Sequence, residues 1–447
     1  MRASRERSFL PARARKGATA GGAAALTVVA VSYVAARIFG VPSLPDLLQA
    51  PILAAVPGPV FGFLIDNLQH VGKVSEETGL VISIVALGAA AGGFAGAVIG
   101  RPTISAPQPA GAADPMRRRL LQLAPAAVGG AAIVVVAARL LPQWYQALRP
   151  PEGAAGEVTA ITPAASFYLV SKNFRDPIVA VDGWKLRVHG LVERELLLGY
   201  ADLASMPQAA EIVTLECVSN PVGGRLISTG RFEGPRLADL LAGASPQPVA
   251  RHVAFRANDG YAESLPLEEL RPEVLVALTL NGTPLPNEHG FPARIVMPGR
   301  YGMKGPKWLE AIELVESPAE GYWEGKGWGA AAIVKTTSRI DVPADGAPIK
   351  GPQISLAGVA FAGTRGVLKV EWSDDGGTTW RSADLDPAIS PFSWRLWNAE
   401  WRPGRPGQYT LMVRATDESG IAQEDRAISS FPSGSTGLHL IRVSVTG

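Results

Sequence analysis

The hydropathy of the chain changes character near residue 142, and this limits its fold more than any other feature of the sequence. Ala18 to Gly40 is apolar with Arg37 as its only charge, Leu80 to Gly100 carries no charge, and Leu120 to Leu141 carries only Arg139. Each stretch meets the requirement of about 20 residues for spanning ~30 Å of hydrocarbon. Backbone amides in lipid must be satisfied within the segment, so the three stretches read as helices. Beyond residue 159 the pattern becomes short alternating runs separated by turn residues, as in a folded domain that meets water.

The region Val41 to Glu77 is interrupted by Pro42, Pro45, Pro51, Pro57 and Pro59 and carries Asp66 and Lys73. It suits an interfacial or re-entrant segment, with a fourth span as the alternative. Two basic clusters decide between these counts. Residues 1–16 carry Arg2, Arg5, Arg7, Arg13, Arg15 and Lys16, and Arg117, Arg118 and Arg119 precede the last apolar run. Lys and Arg in short loops favour the cytoplasm, and both clusters lie there only if one pair of crossings separates them. The expectation is a multi-pass protein of the cell membrane with three spans and everything after Leu141 extracytoplasmic. Met116 to Leu121, followed by an apolar run, also resembles a twin-arginine export signal, with a plain positive-inside cluster as the competing reading. Gly92, Gly96 and Gly100 fall near one helix face, although in so glycine-rich a segment composition explains them as well as a packing seam does. Membrane haem is not expected, because a b-type haem needs paired axial histidines and His70 is the only histidine before residue 189.

The net charge of +2 excludes the basic surface that nucleic-acid binding needs. The expected organisation is a basic amino terminus over 1–16, a helical transmembrane anchor over 17–142, a linker over 143–159, an α+β domain over 160–335 and an all-β, immunoglobulin-like sandwich over 336–447. Trp184 to Val192 alternates with period two, as a half-buried strand does, while Pro235 to Leu241 and Pro266 to Leu270 have helical spacing. Val367 to Trp372 and Tyr409 to Ala415 read as strands, and Asp375-Gly376-Gly377 reads as a hairpin turn.

Cys217 is the only cysteine in the chain. One cysteine makes no internal disulfide and no zinc cage, but a single thiolate completes a metal site whose other donors come from an organic cofactor. Four segments frame it: Phe167-Tyr168-Leu169-Val170-Ser171-Lys172-Asn173; Glu216-Cys217-Val218-Ser219-Asn220; Glu288-His289-Gly290-Phe291-Pro292-Ala293-Arg294; and Pro298 to Leu309, which holds Lys304, Lys307 and Trp308. Together with the sandwich behind them, these resemble the sulfite oxidase family of molybdenum enzymes over roughly residues 160–447.

The resemblance implies a molybdenum–molybdopterin cofactor, one pyranopterin per chain, with Cys217 as the metal ligand. It implies a catalytic set of Cys217, Asn173, Tyr322 and Trp328, and cofactor contacts from Lys172, Asn173, Asn220, Asp259, His289, Arg294, Lys304 and Lys307. For Asp259, in Asn258-Asp259-Gly260-Tyr261, a plain turn aspartate is the competing reading. Arg offers a planar fork to phosphate oxygens and Lys a point charge, so the residue types fit this task independently. The chain departs from the family's sulfite pocket: Ser171 stands where an anion-binding arginine is expected, Pro221-Val222 replace an arginine pair, and Trp328 aligns with an active-site tyrosine. Sulfite is a small dianion that needs cations, so this pattern points to a less charged substrate.

The expected function is therefore oxygen-atom transfer by a membrane-anchored molybdenum oxidoreductase, in the direction of sulfoxide or N-oxide reduction. Sulfite oxidation, with Lys172 or Arg225 replacing the missing cations, is the alternative enzyme reading. A cofactor-free binding or assembly module is the alternative from another class. The partners implied are a small-molecule substrate, a separate electron carrier such as a quinone or cytochrome, the membrane, and a second copy of the chain through the dimerisation-type sandwich.

Overall fold

The structure, a computed structural model, describes residues 12–39, 41–55, 74–75, 77–92, 94–95, 115–147 and 159–446. The described residues before 150, together with Asn173–Arg175, form one compact unit, and the remainder from residue 159 onward form a second.

The first unit is helical, with α1 (Ala12–Phe39), α2 (Leu44–Ala55), α3 (Glu77–Gly92) and α4 (Pro115–Ala147). Among the described residues one helix, Ala14–Phe39, is long and apolar enough to cross a membrane, whereas the apolar parts Glu77–Gly92 and Val128–Trp144 are shorter. α2 has 12 residues with Pro51 inside it, below the length of a full crossing. Val29, Ala30, Tyr33, Val81, Ala132, Val136 and Leu140 form the core of the bundle. α1 and α3 approach closely through glycine: a Cβ on Gly21 would overlap the Gly88 carbonyl and meet Gly92 Cα at 2.9 Å. A small-residue seam therefore exists and includes Gly92, but it extends toward Gly88, while Gly96 and Gly100 lie outside the described residues.

Glu77, 1 % exposed, accepts hydrogen bonds from Tyr33 Oη at 2.9 Å and Arg139 Nε at 3.3 Å, which ties α1, α3 and α4 together at one end. Tyr33 and Arg139 lie late in their helices and Glu77 opens its own, so the three run alternately up and down. Arg117–Arg119 begin α4 and fall at the opposite end. His70, Pro57, Pro59, Lys73, Arg101, most of the basic amino terminus and residues 148–158 of the linker lie outside the described residues.

The second unit opens on a mixed five-stranded sheet ordered Leu196–Leu198, Leu186–Gly190, Leu309–Val315, His252–Ala257, Ala262–Pro266. Its central pair, Leu186–Gly190 with Leu309–Val315, is parallel. Apolar residues at alternate positions, such as Leu186 and Val188, face a core shared with the helix Leu237–Ala244. That helix meets the helical spacing read from Pro235 to Leu241, whereas Pro266 to Leu270 forms only a 3-10 turn, Leu267–Glu269, because Pro266 ends a strand. A second sheet pairs Ala209–Glu216 with Ile227–Gly234 and continues through Thr279–Leu280 to Thr283–Pro284.

The carboxy-terminal part is a sandwich of a four-stranded and a five-stranded sheet. Trp372, Trp397 and Trp401 fill the space between the sheets with Leu411, Val413 and Ile441. The Asp375-Gly376-Gly377 turn joins Val367–Ser373 to Arg381–Ser382, and both glycines take positive φ. The sandwich docks on the Cys217 hairpin through several side chains. Arg339 Nη1 donates to the Gly224 carbonyl at 2.7 Å, Ser435 Oγ donates to the Asn220 carbonyl at 2.7 Å, and the His439 ring occupies the space that a Cβ on Gly223 would need.

His439 Nδ1 accepts the Ile340 backbone N–H at 3.0 Å, and burial, followed by the nearby Arg339 charge, pulls its pKa from 6.5 down to about 4. The fold requires the neutral ring, so this contribution is complete above pH 6.5 and is lost as pH falls through 4. His439→Gln keeps an acceptor and removes the titration. Thermal melts should show a shallower loss of stability between pH 6.5 and 4 in this variant than in the parent; an unchanged slope would contradict the assignment.

Candidate active site

Cys217 follows the strand Ala209–Glu216 at the start of a tight loop. Its backbone N–H donates to the Leu226 carbonyl at 2.9 Å, and its carbonyl accepts the Asn220 N–H at 2.9 Å. Asn220 closes the loop from inside: its Nδ2 donates to Glu216 Oε1 at 2.9 Å and its Oδ1 accepts the Leu226 N–H at 3.0 Å. The outer residues of the Glu-Cys-x-x-Asn motif thus clamp the loop while the thiol faces a cleft. Asn220, expected at the cofactor, instead holds this clamp and does not line the cleft.

The cleft encloses about 890 Å³ when the open solvent at its mouth is included. His289, Arg294 and Lys307 line the same cleft as Cys217. Gly290 brings the three together, because it sits at φ +112° and a Cβ there would meet Lys307 Cβ at 2.9 Å and Arg294 Cβ at 3.1 Å. Only glycine accepts both that conformation and that approach. Trp308, beside Lys307, is also held at positive φ (52°), with its indole N–H donating to the Asn287 carbonyl at 2.7 Å. A bulky side chain in that conformation marks a segment held by its surroundings, and it brings Lys307 Nζ to 4.3 Å from the Trp308 ring centroid.

Arg294 is 6 % exposed, and its guanidinium donates to the carbonyls of His289 at 3.2 Å and Gly305 at 3.3 Å. Among the described residues no carboxylate pairs with it, and burial lowers its pKa to about 10. His289 is driven down to about 4 by burial first and then by the positive charges of Arg294 and Lys307, so its ring is neutral at ordinary pH. Burial also raises the Cys217 thiol, with the Ser219 hydroxyl 3.1 Å away acting in the opposite direction. No cluster of three His, Cys, Asp or Glu side chains that could hold a metal occurs among the described residues. A soft metal at Cys217 would therefore draw its other donors from an organic ligand, and a buried cation without a carboxylate suits that ligand's phosphate. The residues present fit a molybdopterin.

The other expected residues divide. Lys172 lines the cleft, where its Nζ donates to the Asp259 carbonyl at 2.7 Å and lies 3.5 Å from the Asp259 carboxylate. Asp259 also accepts the Tyr261 N–H at 3.0 Å, so it is both a turn aspartate and part of the wall. Trp328, 3 % exposed, lines the cleft and meets Phe431 of the sandwich edge-on at 5.2 Å, with its indole N–H unpartnered among the described residues. Tyr322 lies behind the wall, 4.9 Å from the ring of Trp323, which does line it. Asn173 groups with the helical unit.

Lys304 departs from expectation. The 3-10 turn Gly302–Lys304 aims its ammonium away from the cleft, where it donates to Glu263 at 2.7 Å, the Ser264 carbonyl at 3.1 Å and Glu324 at 2.5 Å. All three of its protons are engaged, so it is a structural cation. Arg225 is also absent from the wall.

Tyr168 lines the cleft without having been assigned a role from the sequence, although it stands in the aromatic pair that opens the first framing segment. Its N–H donates to Ser228 Oγ at 3.0 Å and its ring stacks on Phe167 at 5.8 Å. Burial, and then the proximity of Cys217, push its hydroxyl well above the ordinary range.

Comparisons with known proteins agree with this geometry. Residues 173–323 match the family model of the oxidoreductase molybdopterin binding domain, and residues 330–433 match that of the Mo-co oxidoreductase dimerisation domain. The chain is 30 % identical to sulfite oxidase of Gallus gallus over 314 residues, which cover 59 % of this chain and 68 % of the relative. It is 31 % identical to the mitochondrial sulfite oxidase of Homo sapiens over 315 residues, covering 59 % of this chain and 57 % of the relative. The chain thus spans little more than half the length of the mammalian relatives it matches. It is also 34 % identical over 146 residues to the uncharacterized oxidoreductase YuiH of Bacillus subtilis (strain 168), covering 32 % of this chain and 72 % of the relative. Among solved structures, the sulfane dehydrogenase SoxCD from Paracoccus pantotrophus shares the fold, with a TM-score of 0.58 and 23 % identity over 64 % of this chain and 81 % of that one.

Removing the Arg294 charge recovers its desolvation cost and gives up its hydrogen bonds to the His289 and Gly305 carbonyls, two effects of opposite sign. In Arg294→Met the cofactor-free protein should therefore melt near the parent temperature, while molybdenum retained through purification falls at least about tenfold, as expected for losing a charge-assisted contact. A variant that keeps its metal as the parent does would contradict a phosphate role for Arg294.

Proposed function

This chain belongs to the sulfite oxidase family of molybdopterin oxidoreductases, and on that premise we propose that it catalyses oxygen-atom transfer in the cleft of Cys217, reducing a neutral sulfoxide or N-oxide. Bound molybdopterin supplies the two-electron couple that the reaction needs. In balance, the S–O or N–O bond breaks, two electrons arrive from a separate carrier such as a quinone or cytochrome, and the oxygen leaves with two protons as water.

The observation that carries the choice of substrate is the state of the cleft's cations. Arg294 and Lys307 lie with His289 on the side suited to the pterin phosphate, and Lys172, the remaining cation of the wall, carries the Asp259 carboxylate at 3.5 Å. The rest of the wall includes Leu169, Val170, Met303, Trp323 and Trp328. A dianion stripped of water here would lack a fixed partner, at a cost of several kcal/mol, whereas a neutral oxide loses much less solvation. In this reading Cys217 holds the metal, Arg294, His289 and Lys307 hold the pterin, Lys172 and Asp259 close the wall, and Trp328 shapes the substrate side. Tyr322 is not among the lining residues, although its ring lies 5.3 Å from Lys172 Nζ.

Sulfite oxidation is the second reading, favoured by the names of the relatives. It needs Lys172 released from Asp259, since Arg225 does not reach the wall.

The helical unit is proposed as a multi-pass anchor with its amino terminus cytoplasmic and the catalytic part extracytoplasmic. The up-and-down run of α1, α3 and α4 and the basic residues at the start of α4 support this reading, and export by a twin-arginine route goes with it. Residues 336–447 are proposed to mediate a homodimer.

Cys217→Ala should fold and lose at least about a thousandfold in oxide reduction, since the metal centre and not the fold depends on the thiolate; a variant with full turnover would end the assignment. With an artificial donor or acceptor, the parent should reduce sulfoxides or N-oxides much faster than it oxidises sulfite. Asp259→Asn should raise sulfite turnover several-fold by unmasking Lys172. Efficient sulfite oxidation by the parent at micromolar sulfite would reverse the choice of substrate.

A further inference from the structure

Four residues with side-chain hydroxyls line the cleft, and three of these hydroxyls are already engaged. Ser171 donates to Asp176, Ser219 is 3.1 Å from the Cys217 sulfur, and Tyr261 donates to the Met303 carbonyl at 2.6 Å. The Tyr168 hydroxyl has no hydrogen-bond partner among the described residues. Its ring is nevertheless held by stacking on Phe167 and its backbone by the bond to Ser228, and the absence of a side chain at Gly302 leaves the hydroxyl its room. A Cβ on Gly302 would lie 2.6 Å from the Tyr168 oxygen and 3.5 Å from the carbonyl of Glu216, the residue before Cys217. The hydroxyl and the thiol-bearing loop therefore meet across this glycine. A donor held in place by packing and left without an acceptor is arranged for an acceptor that arrives with a ligand.

We propose that Tyr168 is a catalytic residue of this cleft, whose hydroxyl donates the hydrogen bond that holds the oxygen atom of a neutral S=O or N–O substrate. The substrate class rests on the oxygen-atom-transfer reading above. The hydrogen bond strengthens as negative charge gathers on the oxygen while its bond to sulfur or nitrogen breaks; the electrons come from the external donor and the two protons of the water from solvent, so Tyr168 ends the cycle unchanged. It also discriminates between substrate and product, because the sulfide or amine product has lost the oxygen that accepts from Tyr168.

Binding to the resting, cofactor-loaded protein tests this without turnover. Methyl phenyl sulfone keeps sulfur-bound oxygens, and methyl phenyl sulfide has the same frame without them. Calorimetry should show the parent binding the sulfone about tenfold more tightly than the sulfide, the value of one good hydrogen bond. In Tyr168→Phe the two affinities should become equal, with that for the sulfide within about twofold of the parent, since the ring and its stacking remain. Gly302→Ala, which forces the hydroxyl aside, should reproduce the loss with the tyrosine present. Equal affinities in the parent, a sulfone preference that survives in Tyr168→Phe, or a parallel loss of both ligands would overturn the proposal. A preference that disappears as expected in a protein that reduces no sulfoxide or N-oxide would uphold the donor and remove the reading of the reaction instead.

Discussion

The Arg294 guanidinium lies almost out of reach of solvent and faces carbonyl oxygens, where a buried cation would ordinarily recruit a carboxylate. Much of the surrounding structure follows from accommodating it. Gly290 bends so that the His289 carbonyl can reach the guanidinium, Gly305 offers a second carbonyl, and Trp308 takes a left-handed conformation beside Lys307. His289 is kept neutral by burial and by the two positive charges next to it. The described residues leave this buried charge without a carboxylate, which is the property a phosphate-bearing cofactor site needs.

The thiol side of the cleft is organised by a different principle. Glu216 and Asn220 clamp the Cys217 loop by side-chain hydrogen bonds, and the sandwich supports the same loop through Ser435, Arg339 and His439. Phe431 of the sandwich packs against Trp328 of the wall. The sandwich therefore shapes the site as well as forming a domain of its own, and changes in its loop near residues 431–439 should be felt at the thiol.

Much of this was legible in the sequence where residue type and spacing carry the geometry. Cys217, His289, Arg294 and Lys307 were expected at one site and all line one cleft, and Gly290 leaves little freedom in where Arg294 and Lys307 go. Direction was not legible. Lys304 stands three residues before Lys307, yet the 3-10 turn aims it at Glu263 and Glu324, which are distant in sequence. Asn220 carries a motif position and uses it inside the loop. The interest of Tyr168 lies in a partner it lacks, which only the assembled neighbours reveal. Period-two alternation located the strand Leu186–Gly190, and apolar length located α1, but the close approach of Gly21 to Gly88 depends on which faces of α1 and α3 meet.

The central claim is that Cys217 is the protein's ligand to a molybdenum centre whose remaining sulfur donors belong to the pterin. X-ray absorption at the molybdenum edge tests it directly on protein made in a molybdopterin-competent host. The account requires a sulfur shell that loses one scatterer in Cys217→Ser while the dithiolene sulfurs remain. An identical sulfur shell in parent and variant, or a parent that takes up no molybdenum in such a host, would contradict it.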